Sequence, residues 1–144
     1  MTLKIALEQP NASDLDVIHA HLAQTYWAKG IARETVELAF GNSMCALART
    51  ADSKLAGFAR LITDGATFGW LTDVYVMPEH RGAGVGRMLA RTFLDHPPLK
   101  SLRRWMLSTL DAHGVYSELG FQQLKEPQRL MHILNMPPRP KDSP

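Results

Sequence analysis

Gly82, Gly84 and Gly86 alternate through a stretch that begins as the apolar run VYVM and continues as a helical pattern from Val85, with Arg81 and Arg87 on either side. Glycines at this spacing leave main-chain N–H groups uncovered by side chains. A helix start adds its own unpaired donors and the positive end of its dipole. Such a turn suits an anion, in particular a phosphate or pyrophosphate. Two common nucleotide loops do not fit. A dinucleotide fingerprint needs Gly-x-Gly-x-x-Gly and an acidic residue on the next strand; here the glycines alternate, and antiparallel hairpins precede them. A Walker loop needs a Gly-Lys-Ser/Thr ending, which is absent. A tight turn without a ligand is the plainer alternative.

Other reactive residue types are sparse. The single cysteine, Cys45, lies in the apolar run MCAL and reads as a small core residue; alone, it excludes an internal disulfide. The six histidines are scattered without metal-ligand spacing, so no metal site is expected. Asp73 stands in an otherwise apolar strand pattern, where an unpaired carboxylate is costly.

The elements that must position these residues follow from periodicity. Residues 3–8 suit a short strand. Ser13 with Asp16 resembles a capping box, and helical spacing of Leu15, Ile18 and Leu22 predicts a helix over 14–25. The segment TYWAKGI (25–31) interrupts the pattern, and 33–40 reads as a second helix stopped by Gly41-Asn42. Strand patterns at 44–50, 55–62 and 67–77, joined by short turns, predict an antiparallel meander. The helix from Val85 ends before Pro97-Pro98. A strand at 103–109 follows, parallel to 67–77 because a helix makes the crossover. Asp111 can cap a short helix that Gly120 stops. Residues 121–124 and 129–134 read as two last short strands. By alternation, Asp73 and Tyr75 share one face of their strand, opposite Trp70, Thr72 and Val74.

The chain has 144 residues, 45% hydrophobic and 21% charged, with a net charge of +2. These values describe one globular domain, assigned to 1–136, with a flexible C-terminal tail at 137–144. The charge is too small, and basic residues too dispersed, to indicate a nucleic-acid partner. No apolar run approaches the length of a membrane span, and no secretory signal opens the chain, so a cytoplasmic protein without a membrane partner is expected.

The glycine stretch, read as Arg81-Gly82-Ala83-Gly84-Val85-Gly86 after Val76-x-Pro78, resembles the pyrophosphate loop of the GNAT superfamily of N-acetyltransferases. The order of elements over 3–134 and a late Tyr-x-x-x-Gly-Phe at 116–121 resemble it too. TYWAKGI, LTDVYV and DAHGVYSELGF are similar to a bacterial subgroup without an assigned substrate. The resemblance implies an α/β fold: a mixed, mostly antiparallel sheet of six to seven strands, splayed at a cofactor slot and flanked by about four helices. It implies acetyl-CoA as cofactor, CoA as product, and transfer to a primary amine of a small molecule or peptide by direct attack in a ternary complex. A non-catalytic acyl-CoA-binding module is the alternative.

On the resemblance, the cofactor contacts fall at Val74, Tyr75 and Val76 (pantetheine, with one N–H as oxyanion donor), Arg81, Gly82, Ala83, Gly84, Val85, Gly86 and Arg87 (pyrophosphate), and Thr109 and Asp111 (beside the pantetheine). Tyr116 stands where the family often places the phenol that protonates the leaving thiolate. Asp73 either binds the acceptor amine or takes its proton, or accepts structural hydrogen bonds from nearby loop N–H groups. Glu79 and His113 are further candidate bases. Tyr26 and Trp27 lie in the segment that shapes the acceptor pocket. A homodimer through Trp105 and the last strands is compatible with the sequence, as is core packing of the same residues.

Overall fold

A capping box starts the first helix: the Asn11 side chain accepts from the Asp14 N–H at 2.8 Å, and the Asp14 carboxylate accepts from the Asn11 N–H at 2.9 Å. Helix α1 therefore spans Ala12–Leu22, two residues ahead of the 14–25 expected, because the cap is Asn11/Asp14 and not Ser13/Asp16. In this computed structural model, which describes residues 2–136, α1 follows strand β1 (Lys4–Leu7) and precedes helix α2 (Arg33–Gly41). Strands β2 (Met44–Arg49), β3 (Leu55–Thr63) and β4 (Phe68–Val76) form the expected meander. Helix α3 (Val85–Leu94), strand β5 (Arg104–Leu107) and helix α4 (His113–Glu118) complete the regular elements. The tail at 137–144 lies outside the described residues.

The sheet has the order β1-β2-β3-β4-β5. All neighbours are antiparallel except β4 and β5, which α3 joins by a crossover. One apolar core lies between the sheet and α3, where Val85, Leu89, Ala90 and Phe93 are buried against Ala46, Ala59, Leu61 and Leu71. A second core lies on the opposite face, where Ile18, Leu22, Val36 and Phe40 pack on Leu47 and Phe58. Each fully buried Leu or Phe contributes about 1.5–3 kcal/mol relative to exposure, so α3 is held from one side by its apolar stripe and leaves its N-terminus to other work.

Two expectations are corrected. The mixed sheet has five strands, not six to seven, among the described residues: 121–124 and 129–134 are not strands. A two-residue apolar alternation is only a capacity to form a strand, realised when backbone partners are at hand. Here a 3-10 turn at Pro127–Arg129 separates the two segments, and the apolar side chains of the second stay exposed, Met131 at 96% and Ile133 at 88%. The other correction concerns β4. Phe58 pairs with Tyr75 but Arg60 pairs with Thr72, so β4 carries one extra residue, a β-bulge at Asp73 with φ of 52°. The bulge reverses the alternation. Leu71 packs in the α3 core, and so do Val74 and Val76, while Tyr75 packs in the other. Trp70 and Thr72 therefore lie on the same side of the sheet as Tyr75, not opposite it. No helix among the described residues is long and apolar enough to cross a membrane.

Candidate active site

The parallel pairing of β4 with β5 runs from Phe68↔Arg104 to Leu71↔Leu107 and stops there. β4 continues through Thr72–Val76 without a partner on that side, so the two strands fork at the bulge. The Met77 N–H donates to Ala56 O on β3 at 2.8 Å. Antiparallel alternation then turns the N–H and C=O groups of Val74 and Val76 away from β3 and into the fork. A fork with unsatisfied main-chain donors and acceptors on one wall can receive an extended amide-bearing ligand as a short added strand.

The glycine turn opens at the mouth of this fork. Gly82 and Gly84 have φ of +85° and +79°, a region costly for side-chain-bearing residues, and a Cβ at either would meet nothing within 4 Å. Gly84 is the N-cap of α3 and supplies no side-chain acceptor. The first bond of the α3 ladder is Met88 N–H to Gly84 O, at 3.0 Å, so the N–H groups of Val85, Gly86 and Arg87 have no partner in the helix. Gly86 serves a different need: a Cβ there would lie 3.7 Å from Val76 and 3.8 Å from Val74 side-chain atoms, close to the wall of β4. Open space, positive φ and unpaired donors together fit a pyrophosphate, and the chain has the residues to hold one.

Arg81 folds back onto β4. Its Nε donates to Val76 O at 2.9 Å, and its guanidinium sits 5.2 Å from the centre of the Tyr75 ring. That ring stacks on Phe58, and its hydroxyl is 3.0 Å from Nδ1 of His21 on α1. Arg87 pairs with Glu118 at 2.7 Å, joining the start of α3 to α4.

Asp73 is held on both oxygens. The Trp27 indole N–H donates to Oδ1 at 2.8 Å, and Arg60 Nε donates to Oδ2 at 2.7 Å. Its side chain is 8% exposed, and that of Arg60 17%. Arg60 also donates to Ser43 Oγ at 3.2 Å. The structural hydrogen bonds expected of Asp73 thus come from an indole and a guanidinium, not from loop N–H groups. Tyr26 lies edge-on to Trp27 at 5.2 Å.

Tyr116 is half-buried, edge-on to Phe121 at 5.9 Å, and burial pushes its phenol pKa up. With Thr109, His113 and Trp70 it lines a groove of about 1130 Å³. Thr109 Oγ1 accepts the Ala112 N–H at 3.0 Å. Asp111 is exposed and does not cap α4, whose N-cap is Ala112. Cys45 is buried, and burial pushes its thiol to about 11, which suits a core residue and not a nucleophile. Among the described residues no group of three or more His, Cys, Asp or Glu side chains could hold a metal ion.

The structure gathers the sequence-predicted residues into a main-chain fork and loop (Val74 to Val76, Gly82 to Arg87), a network at the bulge (Asp73, Trp27, Tyr26) and the groove (Tyr116, Thr109). Sequence reasoning missed the Arg60 partner of Asp73, the His21–Tyr75 bond and Glu118. Only Arg60 carried a sequence signal, as a charge in the middle of an apolar strand.

Comparison with known proteins bears on the fold and the family. The model of the acetyltransferase (GNAT) family matches residues 15–121. A Gibberella zeae protein described as a "putative acetyltransferase" is 32% identical over 138 residues, covering 81% of this chain and 78% of that protein. The crystal structure of a GNAT-family protein from Xanthomonas campestris pv. campestris is 41% identical, with a TM-score of 0.83, over 91% of this chain and 93% of that one. Glucosamine-6-phosphate N-acetyltransferase from Arabidopsis thaliana shares the fold, with a TM-score of 0.65 at 15% identity, over 94% of this chain and 99% of that one.

Proposed function

Since this chain belongs to the acetyltransferase (GNAT) family, whose reaction is acyl transfer, we propose that it moves an acetyl group from acetyl-CoA to a primary amine of a small molecule or peptide, by direct attack in a ternary complex. The observation that carries the proposal is the fork: the main-chain groups of Val74 and the Val76 N–H, without a strand partner on that side, adjoin a glycine turn at the start of α3.

In this reading the N–H groups of Gly82 to Arg87 hold the pyrophosphate, with charge from Arg87 and from the outer nitrogens of Arg81. Val74 to Val76 pair with the pantetheine arm, and Thr109 and Asp111 flank it. Acetyl-CoA supplies an activated carbonyl, and the outward N–H groups of β4 are fixed donors for the charge that carbonyl oxygen gains; fixed donors need no reorganisation at the moment of reaction. Tyr116 gives its proton to the departing thiolate. Its raised pKa keeps it protonated through the neutral and mildly alkaline range. The acceptor ammonium must lose a proton before attack. Both Asp73 oxygens are already bonded, so in this reading His113, which lines the groove, receives it through water ahead of Asp73 and Glu79. Asp73 orients Trp27, and through it Tyr26, outside the groove that Tyr116 lines. A homodimer through Trp105 and the segments 121–124 and 129–134 belongs to the same proposal and is read by sedimentation.

Two variants test this. Tyr116→Phe should lower kcat about 100-fold or more, in the range of a lost general acid, with acetyl-CoA affinity unchanged; normal turnover removes the acid role. Gly84→Glu places a carboxylate and a strained backbone in the anion site and should abolish CoA binding by calorimetry; retained binding sinks the loop assignment. CoA binding without thiol release against any amine would instead identify an acyl-CoA-binding module.

A further inference from the structure

The groove beside Tyr116 differs from the rest of the surface in its chemistry. None of the residues lining it is Asp, Glu, Lys or Arg, in a chain with 16 basic and 14 acidic residues. A neighbouring groove of about 730 Å³ shares Trp105, Leu130 and all of 121–124 with it yet carries Arg103, Arg104, Lys125, Glu126 and Arg129. The lining, in which His113 and Tyr116 are the titratable side chains, is therefore local and not a property of this end of the molecule. Trp70, Trp105 and Met106 give broad apolar contact, while Thr109, Gln122 and Gln123 offer neutral hydrogen bonds.

From this lining we infer that the acceptor is an arylalkylamine: one primary amine on a short linker to an aromatic ring, with no second charged group. The inference rests on the acetyl-transfer reading, because it takes Tyr116 to mark the reacting end of the groove. An indole face stacks on an aryl ring and gains about 0.5–1.5 kcal/mol beyond burial. A second ammonium entering the groove would lose hydration with no carboxylate in the lining to pair with, and a carboxylate or phosphate would find His113 alone. Ring hydroxyls are accepted by the Gln and Thr side chains. The bulge network gives no contrary signal, since Asp73 is already neutralised by Arg60 and so does not call for a cationic acceptor.

The test uses the full chain, acetyl-CoA, and an amine panel of phenethylamine, tyramine, tryptamine, spermidine, lysine and glucosamine 6-phosphate, followed by thiol release. The expected result is kcat/KM at least 10-fold higher for the three arylalkylamines than for the charged acceptors. Trp70→Ala should raise KM for phenethylamine at least 10-fold and leave the Kd of acetyl-CoA unchanged. Gln123→Asp, a surface change, should narrow the preference by improving spermidine. If Trp70→Ala does not fold, Trp70→Leu serves, and saturable quenching of tryptophan fluorescence by phenethylamine reads the groove without turnover. Preference for spermidine, lysine or the sugar phosphate, or absence of saturable quenching, overturns the inference while transfer itself stands. Failure to bind acetyl-CoA at all would instead defeat the underlying proposal.

Discussion

Replacing Asp73 separates two roles that its position allows. The carboxylate is nearly buried, bonded to Trp27 and Arg60, and sits at φ of 52° in a bulge. Asp73→Ala leaves the Arg60 guanidinium and the Trp27 indole without their acceptor. Breaking a buried ion pair from one side costs about 3–5 kcal/mol; Arg60 keeps some contact with water, which puts the loss near the lower end. Alanine in the left-handed region adds about 1 kcal/mol that Asp, tolerated there, does not incur. The expected total is about 4 kcal/mol. Asp73→Gly removes the backbone cost but not the network loss, so about 3 kcal/mol. Asp73→Asn keeps an oxygen for one donor and tolerates the conformation, so about 1–2 kcal/mol. Urea unfolding followed by tryptophan fluorescence gives all three values. The expected order of loss is Ala, then Gly, then Asn. A loss below about 1 kcal/mol for Asp73→Ala would refute the buried-network reasoning. The same Asn variant reads the catalytic role: a positioning carboxylate predicts kcat within about 10-fold of the parent, whereas loss of a general base costs about 100- to 10,000-fold.

Two further outcomes follow from ion pairs. Glu118→Gln frees Arg87 and should tighten CoA binding several-fold at low salt while changing stability by less than about 0.5 kcal/mol, because both partners are well exposed; unchanged affinity by calorimetry would show that Arg87 does not reach the pyrophosphate. For Asp14, burial pushes the carboxyl up, but hydrogen bonds from Arg49 and the Asn11 N–H outweigh it and the net direction is down. A lowered folded pKa gives stability that is present above the ordinary value of 3.8 and is lost as pH falls through the folded value. Asp14→Asn should therefore lower stability at neutral pH and flatten its fall on acidification below about 4; a parallel acid limb in thermal melts would count against this.

The main helices and the meander were legible because their signals are local: Leu15, Ile18 and Leu22 at helical spacing, and the Asp64-Gly65 turn between two apolar runs. The anion turn was legible for the same reason, since glycine at 82 and 84 states a backbone requirement. Where two local solutions competed, spacing could not choose: Asn11 with Asp14 and Ser13 with Asp16 both have capping-box spacing, and the Arg49–Asp14 pair ties the former to β2. The bulge was not legible, because Asp73 carries no glycine-like signal and its conformation depends on Arg60 across the sheet. Nor was the His21–Tyr75 bond, between residues 54 apart in sequence. The last two strands were overread from alternation, without regard to a partner.

The donor half of the candidate site is built almost entirely from main chain: outward amides of β4 and uncovered amides of the glycine turn. Main-chain groups are indifferent to most substitutions, provided the glycines stay. The groove, by contrast, is written in side chains of β5, α4 and the segment after it. On the proposed function, changes at groove side chains other than Tyr116 and Thr109 would alter the acceptor without disturbing the donor half. On the same reading, relatives that keep the fork and turn can diverge in acceptor, and a shared donor is no guide to a shared product.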